Sequence, residues 1–393
     1  MISRIISVIF ALFLYVAGHF ALAVRQEPLI YFFFVTSWWA YIIILDSILS
    51  LRSGRPMFLN RNLPEAIMIS CGFWCIFELV NLRLENWFYV NIPFEAPVRY
   101  TGYLLAYGSV IPAICLTAAA ANPFFVSLKT RPFTVRSYAA RTIAAGIILF
   151  FLMFLLPDYL FGLAWVFGIF LTDGINYRAG HRSFMADLEK GSPGRLLAAL
   201  TSGLICGILW ESWNFISPVR WIYTVPFLEG IKVFEMPIVG YIGFPVFAVE
   251  TVAFFDLLQG IRKNTPARAA VLGAAVLISA LSFLFIDRYT VFSYTTPIRD
   301  LSFLTEDTKG KLLDSGARTN LSIDPGMVKP KEADILQFVN MKGLGYENYL
   351  KLKRGGVIRA QNLGNMDDRQ LSRILDEENL RRVHVYQDAA KRY

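Results

Sequence analysis

The chain has 393 residues, of which 55% are hydrophobic and 15% aromatic, and its mean hydropathy is +0.47. This composition excludes an ordinary soluble globular protein and a disordered chain. The net charge of +8 does not by itself indicate nucleic-acid binding, because most of the basic excess lies in short loops between apolar runs.

Apolar runs long enough to cross the hydrocarbon core of a membrane recur along the first 286 residues. They predict an all-α polytopic membrane bundle, with the first helix retained rather than removed as a signal peptide. The fifth and sixth helices are separated only by Pro157-Asp158 and should form a tight hairpin. The nine predicted helices cover about 5–24, 29–49, 64–82, 101–121, 142–156, 159–175, 197–216, 236–258 and 269–286.

The loops between these helices alternate in positive charge. Fifteen Lys or Arg lie in one set, formed by Arg4 and the loops 50–63, 122–141, 176–196 and 259–268. Five lie in the alternate set, formed by the loops 25–28, 83–100, 157–158 and 217–235. Basic loops stay on the cytoplasmic side, so the pattern predicts a cytoplasmic N-terminus and an outside C-terminus. We expect an integral protein of a bacterial inner membrane.

One motif occurs twice along the membrane part. The two copies are Phe77-Glu78-x-x-Asn81 with Trp87-x-Tyr89, and Trp210-Glu211-x-x-Asn214 with Trp221-x-Tyr223. The Glu and Asn positions share an offset of 133 residues. Matches in one order at a nearly constant offset indicate an internal duplication. We therefore predict a transmembrane domain over 1–286, with parallel repeats at about 5–121 and 142–258 and a ninth helix at 269–286.

The two glutamates are the predicted catalytic residues. Glu78 and Asn81, like Glu211 and Asn214, are three residues apart and so share one face of a helix. Two buried carboxylates that approach each other cannot both stay ionised, which would leave one as a proton donor. The asparagines could orient a carboxyl or bind a substrate. The aromatic residues that follow are either interfacial anchors or part of the same substrate site: Trp87, Tyr89, Trp221 and Tyr223.

Each of these assignments has a structural alternative. The Glu-x-x-Asn motifs could be hydrogen-bonded glue between the repeats rather than a site. Glu250, in the middle of the eighth predicted helix, is a further candidate for substrate binding.

A second repeated pattern lies at the cytoplasmic helix ends. Asp46 precedes Arg52 and Gly54, and Asp173 precedes Arg178 and Gly180. We expect Asp–Arg pairs that fix the helix ends. A lipid-headgroup site that includes Arg52 and Arg178 together with Arg55 and Arg182 is the functional alternative.

No familiar catalytic or cofactor motif is present. His19, His181 and His384 are far apart, and neither a His-Glu-x-x-His motif nor a phosphate-binding or dinucleotide-binding loop occurs. The sequence thus predicts no metal site and leaves any cofactor unknown.

The C-terminal part has a different composition. Residues 287–326 are predicted as a linker that could contain half of a hairpin module, with Tyr289, Phe292 and Tyr294 on the membrane surface. In 327–393, Gly343-Leu-Gly345 between two helical patterns resembles the helix-hairpin-helix family. Members of that family bind DNA backbones or proteins. Because acidic residues dilute the basic ones, we expect a protein partner and disfavour nucleic acid.

Three functions compete for the whole chain. The first is acid–base chemistry on a membrane lipid or isoprenoid substrate at the buried Glu–Asn site. The second is a non-catalytic scaffold or complex subunit that presents the C-terminal module to an outside partner. The third is a proton-coupled transporter, which lacks the repeated broken helices typical of transporter sites.

Overall fold

The computed structural model describes residues 2–227 and 231–392. In this part of the chain, nine helical spans are long and apolar enough to cross a membrane, which confirms the predicted number and order. Several spans consist of two shorter elements. The helices of this part are α1 Ile2–Ala23, α2 Phe33–Ser53, α3 Leu63–Leu84, α4 Ala96–Tyr107, α5 Val110–Phe125, α6 Tyr138–Leu155, α7 Pro157–Leu160, α8 Phe167–Arg178, α9 Phe184–Glu189, α10 Gly194–Ile216, α11 Gly243–Ile261 and α12 Thr265–Phe285.

Helix packing brings the two predicted repeats together. Helix α5 packs against α10, and α11 contacts both α8 and α10. The predicted hairpin forms as α6 packs on α8, with α7 and a short 3₁₀ segment between them. Outer helices such as α1 and α12 expose most of their apolar side chains, as a lipid-facing surface requires.

The structure contains short β-strands that the predicted all-α architecture does not include. Strand β1 (Trp87–Val90) pairs antiparallel with β2 (Arg220–Tyr223), so that Trp87 lies opposite Tyr223. A smaller ribbon joins β3 (Lys232–Val233) to β4 (Met236–Pro237). The first ribbon is rich in aromatic and β-branched residues, which favour strands.

Alternate residues of this ribbon face two different cores. Trp87 and Tyr89 are buried in the core of the membrane part, whereas Phe88 and Val90 belong to the core of the C-terminal domain. Ile222 of β2 also enters that second core. Successive side chains of a strand point to opposite faces, so one ribbon serves both parts.

The C-terminal domain starts earlier than predicted. Its helices are α13 Glu306–Asp314, α14 Pro330–Asn340, α15 Tyr346–Arg354, α16 Ala360–Gly364, α17 Asp368–Leu375 and α18 Leu380–Lys391. Ile298, Leu312 and Ile323 are fully buried in the same core as these helices. The prediction of a linker over 287–326 is therefore wrong for most of its length.

The start of this domain extends the ribbon. The Phe292 N–H donates to the Tyr89 carbonyl at 2.8 Å, and the Ile92 N–H donates to the Ser293 carbonyl at 3.0 Å. Phe292 stacks on Tyr386, with ring centroids 4.7 Å apart, instead of lying on a membrane surface. Residues 291–295 thus lie along the free edge of β1.

Every alternate loop contacts the C-terminal domain. Thr319 donates a hydrogen bond to Glu27, Arg381 pairs with Asp158, and Lys342 pairs with Glu235. The less basic loops therefore lie together at the end of the helix bundle that carries the C-terminal domain. This is what nine helices require when each crosses the membrane in the direction opposite to the one before it. Residues 228–230 of the loop predicted at 217–235 lie outside the described residues.

Candidate functional site

Glu78 lies fully buried near the end of α3, where three aromatic side chains donate hydrogen bonds to it. Trp74, one turn earlier, reaches Oε1 through its Nε1 at 2.8 Å. From β1, the Tyr89 hydroxyl donates at 2.6 Å and the Trp87 Nε1 at 3.3 Å. Three donors leave this carboxyl well satisfied in an apolar interior.

The hydrogen bonds of Asn81 hold the start of β1 close to Glu78. Its Oδ1 accepts from the Asn86 N–H at 2.8 Å and the Trp87 N–H at 3.3 Å, and its Nδ2 donates to the Trp87 carbonyl at 2.9 Å. Glu85, at a φ of 52°, ends the helix in the left-handed region and lets the chain fold back. The prediction that Asn81 binds substrate is replaced by a role in positioning β1.

The second motif repeats this arrangement. The Tyr223 hydroxyl donates to Glu211 Oε1 at 2.7 Å. Asn214 Nδ2 donates to the Trp221 carbonyl at 3.0 Å, and its Oδ1 accepts from the Trp221 N–H at 3.1 Å. Asn214 therefore positions β2 as Asn81 positions β1, and the predicted substrate contact of Asn214 is likewise replaced. Trp221 follows Asn214 by seven residues, whereas Trp87 follows Asn81 by six, so the second connection is one residue longer.

The two glutamates differ in how many partners they have. Gly207 occupies the position in α10 that matches Trp74 at the offset of 133, so it provides no donor. Its Cα packs so closely on the Phe244 ring that an added Cβ would lie 2.5 Å from that ring. Glu211 Oε2 is buried without a hydrogen-bond partner among the described residues. A buried polar atom without a partner costs about 1–3 kcal/mol, so its presence calls for an explanation.

A cavity of about 170 Å³ lies between the two predicted repeats, beside the ribbon. Its wall is almost entirely apolar, and five of the eight tryptophans of the chain line it: Trp74, Trp87, Trp165, Trp210 and Trp221. The predicted site did not include Trp74, Trp165 and Trp210, although Trp74 precedes Glu78 by four residues and so shares its face of the helix.

The tyrosines of the ribbon connect the cavity with the glutamates. Tyr89 and Tyr223 line the cavity, whereas Glu78 and Glu211 lie behind them and do not contribute to its wall. Neither predicted catalytic carboxyl therefore contacts the cavity directly. With Trp87, these tyrosines are buried, so an interfacial anchor role is wrong for them.

The tyrosine hydroxyls remain protonated. Burial raises the pKa of Tyr89 and of Tyr223 well above the usual value, and the charge of the adjacent glutamate acts in the same direction. The Tyr107 hydroxyl donates in turn to that of Tyr89 at 3.0 Å. A chain of hydroxyl groups therefore links Glu78 to the cavity wall.

Glu250 is buried and does not line the cavity. It is 3% exposed, and no hydrogen bond from the described residues reaches its Oε2. The carboxyl packs against Gly168 of α8, where an added Cβ would lie 1.7 Å from Oε1. Glu250 therefore does not join the site around Glu78 and Glu211.

Asp46 and Asp173 do not form the predicted Asp–Arg pairs. Asp46 accepts hydrogen bonds from the backbone N–H groups of residues 57–59, at 2.7–2.9 Å. Asp173 accepts from the N–H groups of residues 184 and 185 and from the Tyr138 hydroxyl. Backbone N–H groups provide the hydrogen bonds that these carboxylates need, so no arginine is required to pair with them. The arginines of the predicted pairs and head-group site are exposed: Arg52, Arg55, Arg178 and Arg182.

The glycine hairpin of the C-terminal domain, Gly343-Leu-Gly345, packs against other residues of the same chain. Gly343 and Gly345 have φ of 69° and 83°, and the Ser293 hydroxyl donates to the Gly343 carbonyl at 2.6 Å. A Cβ at Gly343 would lie 2.6 Å from the Val90 side chain. The hairpin thus docks on β1, and the face that the resemblance offers to a partner is covered.

Within residues 2–227 and 231–392, no group of three or more His, Cys, Asp or Glu side chains is arranged to hold a metal ion. Comparison of the chain with known protein families, with characterised proteins and with solved structures found no match.

Proposed function

We propose that this protein binds an apolar lipid or isoprenoid chain in the cavity between two duplicated halves and exchanges a proton with it. The observation that carries the proposal is the unpartnered Oε2 of Glu211, which lies behind a wall of aromatic rings. Tyr223 stands between the two, since it lines the cavity and donates to Glu211. A proton can therefore pass between a bound ligand and Glu211 through one hydroxyl group.

The aromatic wall suits this chemistry. Protonation of a carbon–carbon double bond creates a positive charge on carbon, and indole and phenol faces stabilise cations. The almost entirely apolar wall also disfavours water, which would quench such an intermediate. In this proposal Glu211 is the catalytic residue, and Glu78 holds strand β1 in place.

Membrane insertion, duplication and orientation form part of the same proposal. The matched hydrogen bonds of Asn81 and Asn214 support a duplication, and the fifteen-to-five asymmetry of basic residues supports a C-terminal domain outside the membrane. A bacterial inner membrane is the expected location.

Proton exchange can be tested without knowledge of the natural substrate. The purified protein is incubated with a bacterial lipid extract in D₂O, and lipids that gain deuterium at carbon are detected by mass spectrometry. We expect incorporation with the wild type and none with Glu211→Gln. Equal incorporation by both proteins, or none with the wild type, would contradict the catalytic role.

Binding is tested separately with geraniol, a ten-carbon isoprenoid alcohol, through its effect on tryptophan fluorescence. Gly102 lines the cavity, and a Cβ added there would meet only the Phe32 ring, at 4.0 Å. Gly102→Leu should therefore fill part of the cavity and weaken binding at least tenfold. Gly273→Leu, on the exposed side of α12 with open space around it, is the matched control.

A scaffold remains the second candidate, supported by one specific observation. The three residues that donate to Glu78 lie on α3 and β1, so this carboxyl fastens a helix to the ribbon, as a purely structural group would. If the wild type binds no lipid probe and co-purifies with a stoichiometric protein partner, the scaffold function replaces the enzyme.

A further inference from the structure

Polar groups of the cavity wall are gathered at the end formed by the ribbon. Asn86 directly precedes β1, and the Tyr89 and Tyr223 hydroxyls belong to the ribbon itself. The deeper end is lined by apolar side chains from the middle of the spans, such as Ile114 and Cys206. The cavity therefore suits a ligand with one polar end, placed at the ribbon.

Asn86 provides an uncharged amide side chain at the polar end of the cavity. Its backbone is fully used, because its N–H donates to Asn81 and its carbonyl accepts from the Thr224 N–H at 2.7 Å. The side chain is 4% exposed, and its Oδ1 has no hydrogen-bond partner among the described residues. An acceptor left without a partner at the wall of a cavity is satisfied when a ligand brings a donor.

The two arginines of the cavity wall differ in how far the chain neutralises their charge. Arg99 donates to Asp287 through Nε at 2.8 Å and to the carbonyls of Pro93 and Phe94 through Nη1. Arg220 lies 3.7 Å from Glu235 and donates to a backbone carbonyl. Arg99 is thus neutralised by Asp287, whereas Arg220 shares the single carboxylate of Glu235 with Lys342, so comparison with an anionic probe has to decide between a neutral and an anionic head.

We propose that the ligand is an uncharged isoprenoid or lipid alcohol whose hydroxyl donates a hydrogen bond to Asn86 Oδ1 at the ribbon end of the cavity. This inference rests on the proposed lipid-binding function and specifies its ligand class. The hydroxyl fixes the direction in which the apolar chain enters, so that its carbons lie along the aromatic wall. Asn86 is then a residue of head-group specificity, separate from the proton-exchanging pair of Tyr223 and Glu211.

The test compares two probe molecules that differ only in whether they carry a hydroxyl group that can donate a hydrogen bond. Geraniol and geranyl methyl ether have the same hydrocarbon chain, but only geraniol can donate a hydrogen bond. We expect the wild type to bind geraniol roughly tenfold more tightly, as one buried hydrogen bond to a neutral partner allows. Asn86→Leu keeps the side-chain size and the backbone bonds, and it should bind both probes with equal affinity.

Asn362→Leu, on the exposed surface of the C-terminal domain, is the matched control and should keep the tenfold preference. Equal affinity of the wild type for both probes, or an unchanged preference in Asn86→Leu, would overturn the head-group inference while leaving lipid binding intact. If neither probe binds the wild type, the cavity function fails and the inference fails with it. Tighter binding of geranyl phosphate than of geraniol would show that the head is anionic and would also overturn it.

Discussion

Trp87 lies directly opposite Tyr223 in the ribbon, so the indole that donates to one buried glutamate is beside the phenol that donates to the other. The two motifs are 133 residues apart in sequence, yet they meet through one pair of strands. Any change in the position of one strand therefore reaches both glutamates.

Substitution of the two glutamates should have unequal effects. In Glu78→Gln an NH2 group replaces one of the two oxygens, both of which lie 3.3 Å from Trp87 Nε1, so two donors face each other at a cost of about 2 kcal/mol. Glu211→Gln keeps an acceptor for Tyr223 and should change the melting temperature little, while deuterium incorporation is lost. Thermal unfolding in detergent and the exchange assay distinguish the two; a larger loss of stability in Glu211→Gln would contradict this assignment.

The asparagines should contribute stability in proportion to their hydrogen bonds. Asn81 makes three bonds to the start of β1, and Asn214 makes two to β2. We expect Asn81→Ala to cost about 3 kcal/mol and Asn214→Ala about 2 kcal/mol. Denaturant unfolding measures both, and Asn362→Ala on the surface provides the reference. Equal, negligible losses would show that the asparagines do not hold the strands.

Glu250 and Gly168 should show strong coupling. Gly168→Ala places a methyl group where the Glu250 carboxyl lies, so we expect a marked drop in melting temperature. In a Glu250→Ala background the same substitution should be tolerated, because the space is then free. A double-mutant cycle should give a coupling energy above about 1 kcal/mol. Additive effects would mean that the two residues do not touch.

The proposed orientation can be measured with introduced cysteines. All four native cysteines are buried, so they contribute little background. Gly310→Cys, in the C-terminal domain, should react with an impermeant thiol reagent added to intact cells. Arg55→Cys, in a basic loop, should react only after lysis. The reverse pattern would place the C-terminal domain in the cytoplasm.

Acid should weaken the C-terminal domain through Glu332. Burial acts to raise the pKa of Glu332, but hydrogen bonds from the Thr305 and Lys329 N–H groups outweigh it and lower that pKa below its ordinary value. A lowered pKa in the folded state gives stability above the ordinary pKa of about 4.3 that is lost as the pH falls through the lower, folded value.

Hydrogen exchange of helix α14 in the full chain measures this effect. Glu332→Gln should exchange faster than the wild type at about pH 6, and the two should converge at about pH 3. A constant difference at both values would show that the Glu332 charge is not responsible.

The sequence predicted the features that depend on local composition. Long apolar runs identified the nine membrane-length helices, because twenty apolar residues in a helix are enough to cross a bilayer. The repeated Glu-x-x-Asn motif identified the residues that organise the ribbon, although their roles were assigned to substrate rather than to backbone. An asparagine near a helix end can do either, and only the position of the following chain decides.

The ribbon and the cavity could not be predicted in the same way. The pairing of β1 with β2 joins segments far apart in sequence, and each strand is too short to stand out from the apolar runs beside it. The partners of Asp46 were missed for a related reason. Backbone N–H groups are present in every loop, so a sequence does not reveal which of them turn toward a carboxylate.

The position of β1 between two cores has a consequence for how this protein can change over time. Phe88 and Val90 complete the C-terminal core, while Trp87 and Tyr89 complete the membrane core. Loss of the C-terminal domain would leave apolar side chains of the ribbon in water. The two parts are consequently not interchangeable modules: a gene fusion that replaced either one would have to rebuild the shared strand as well.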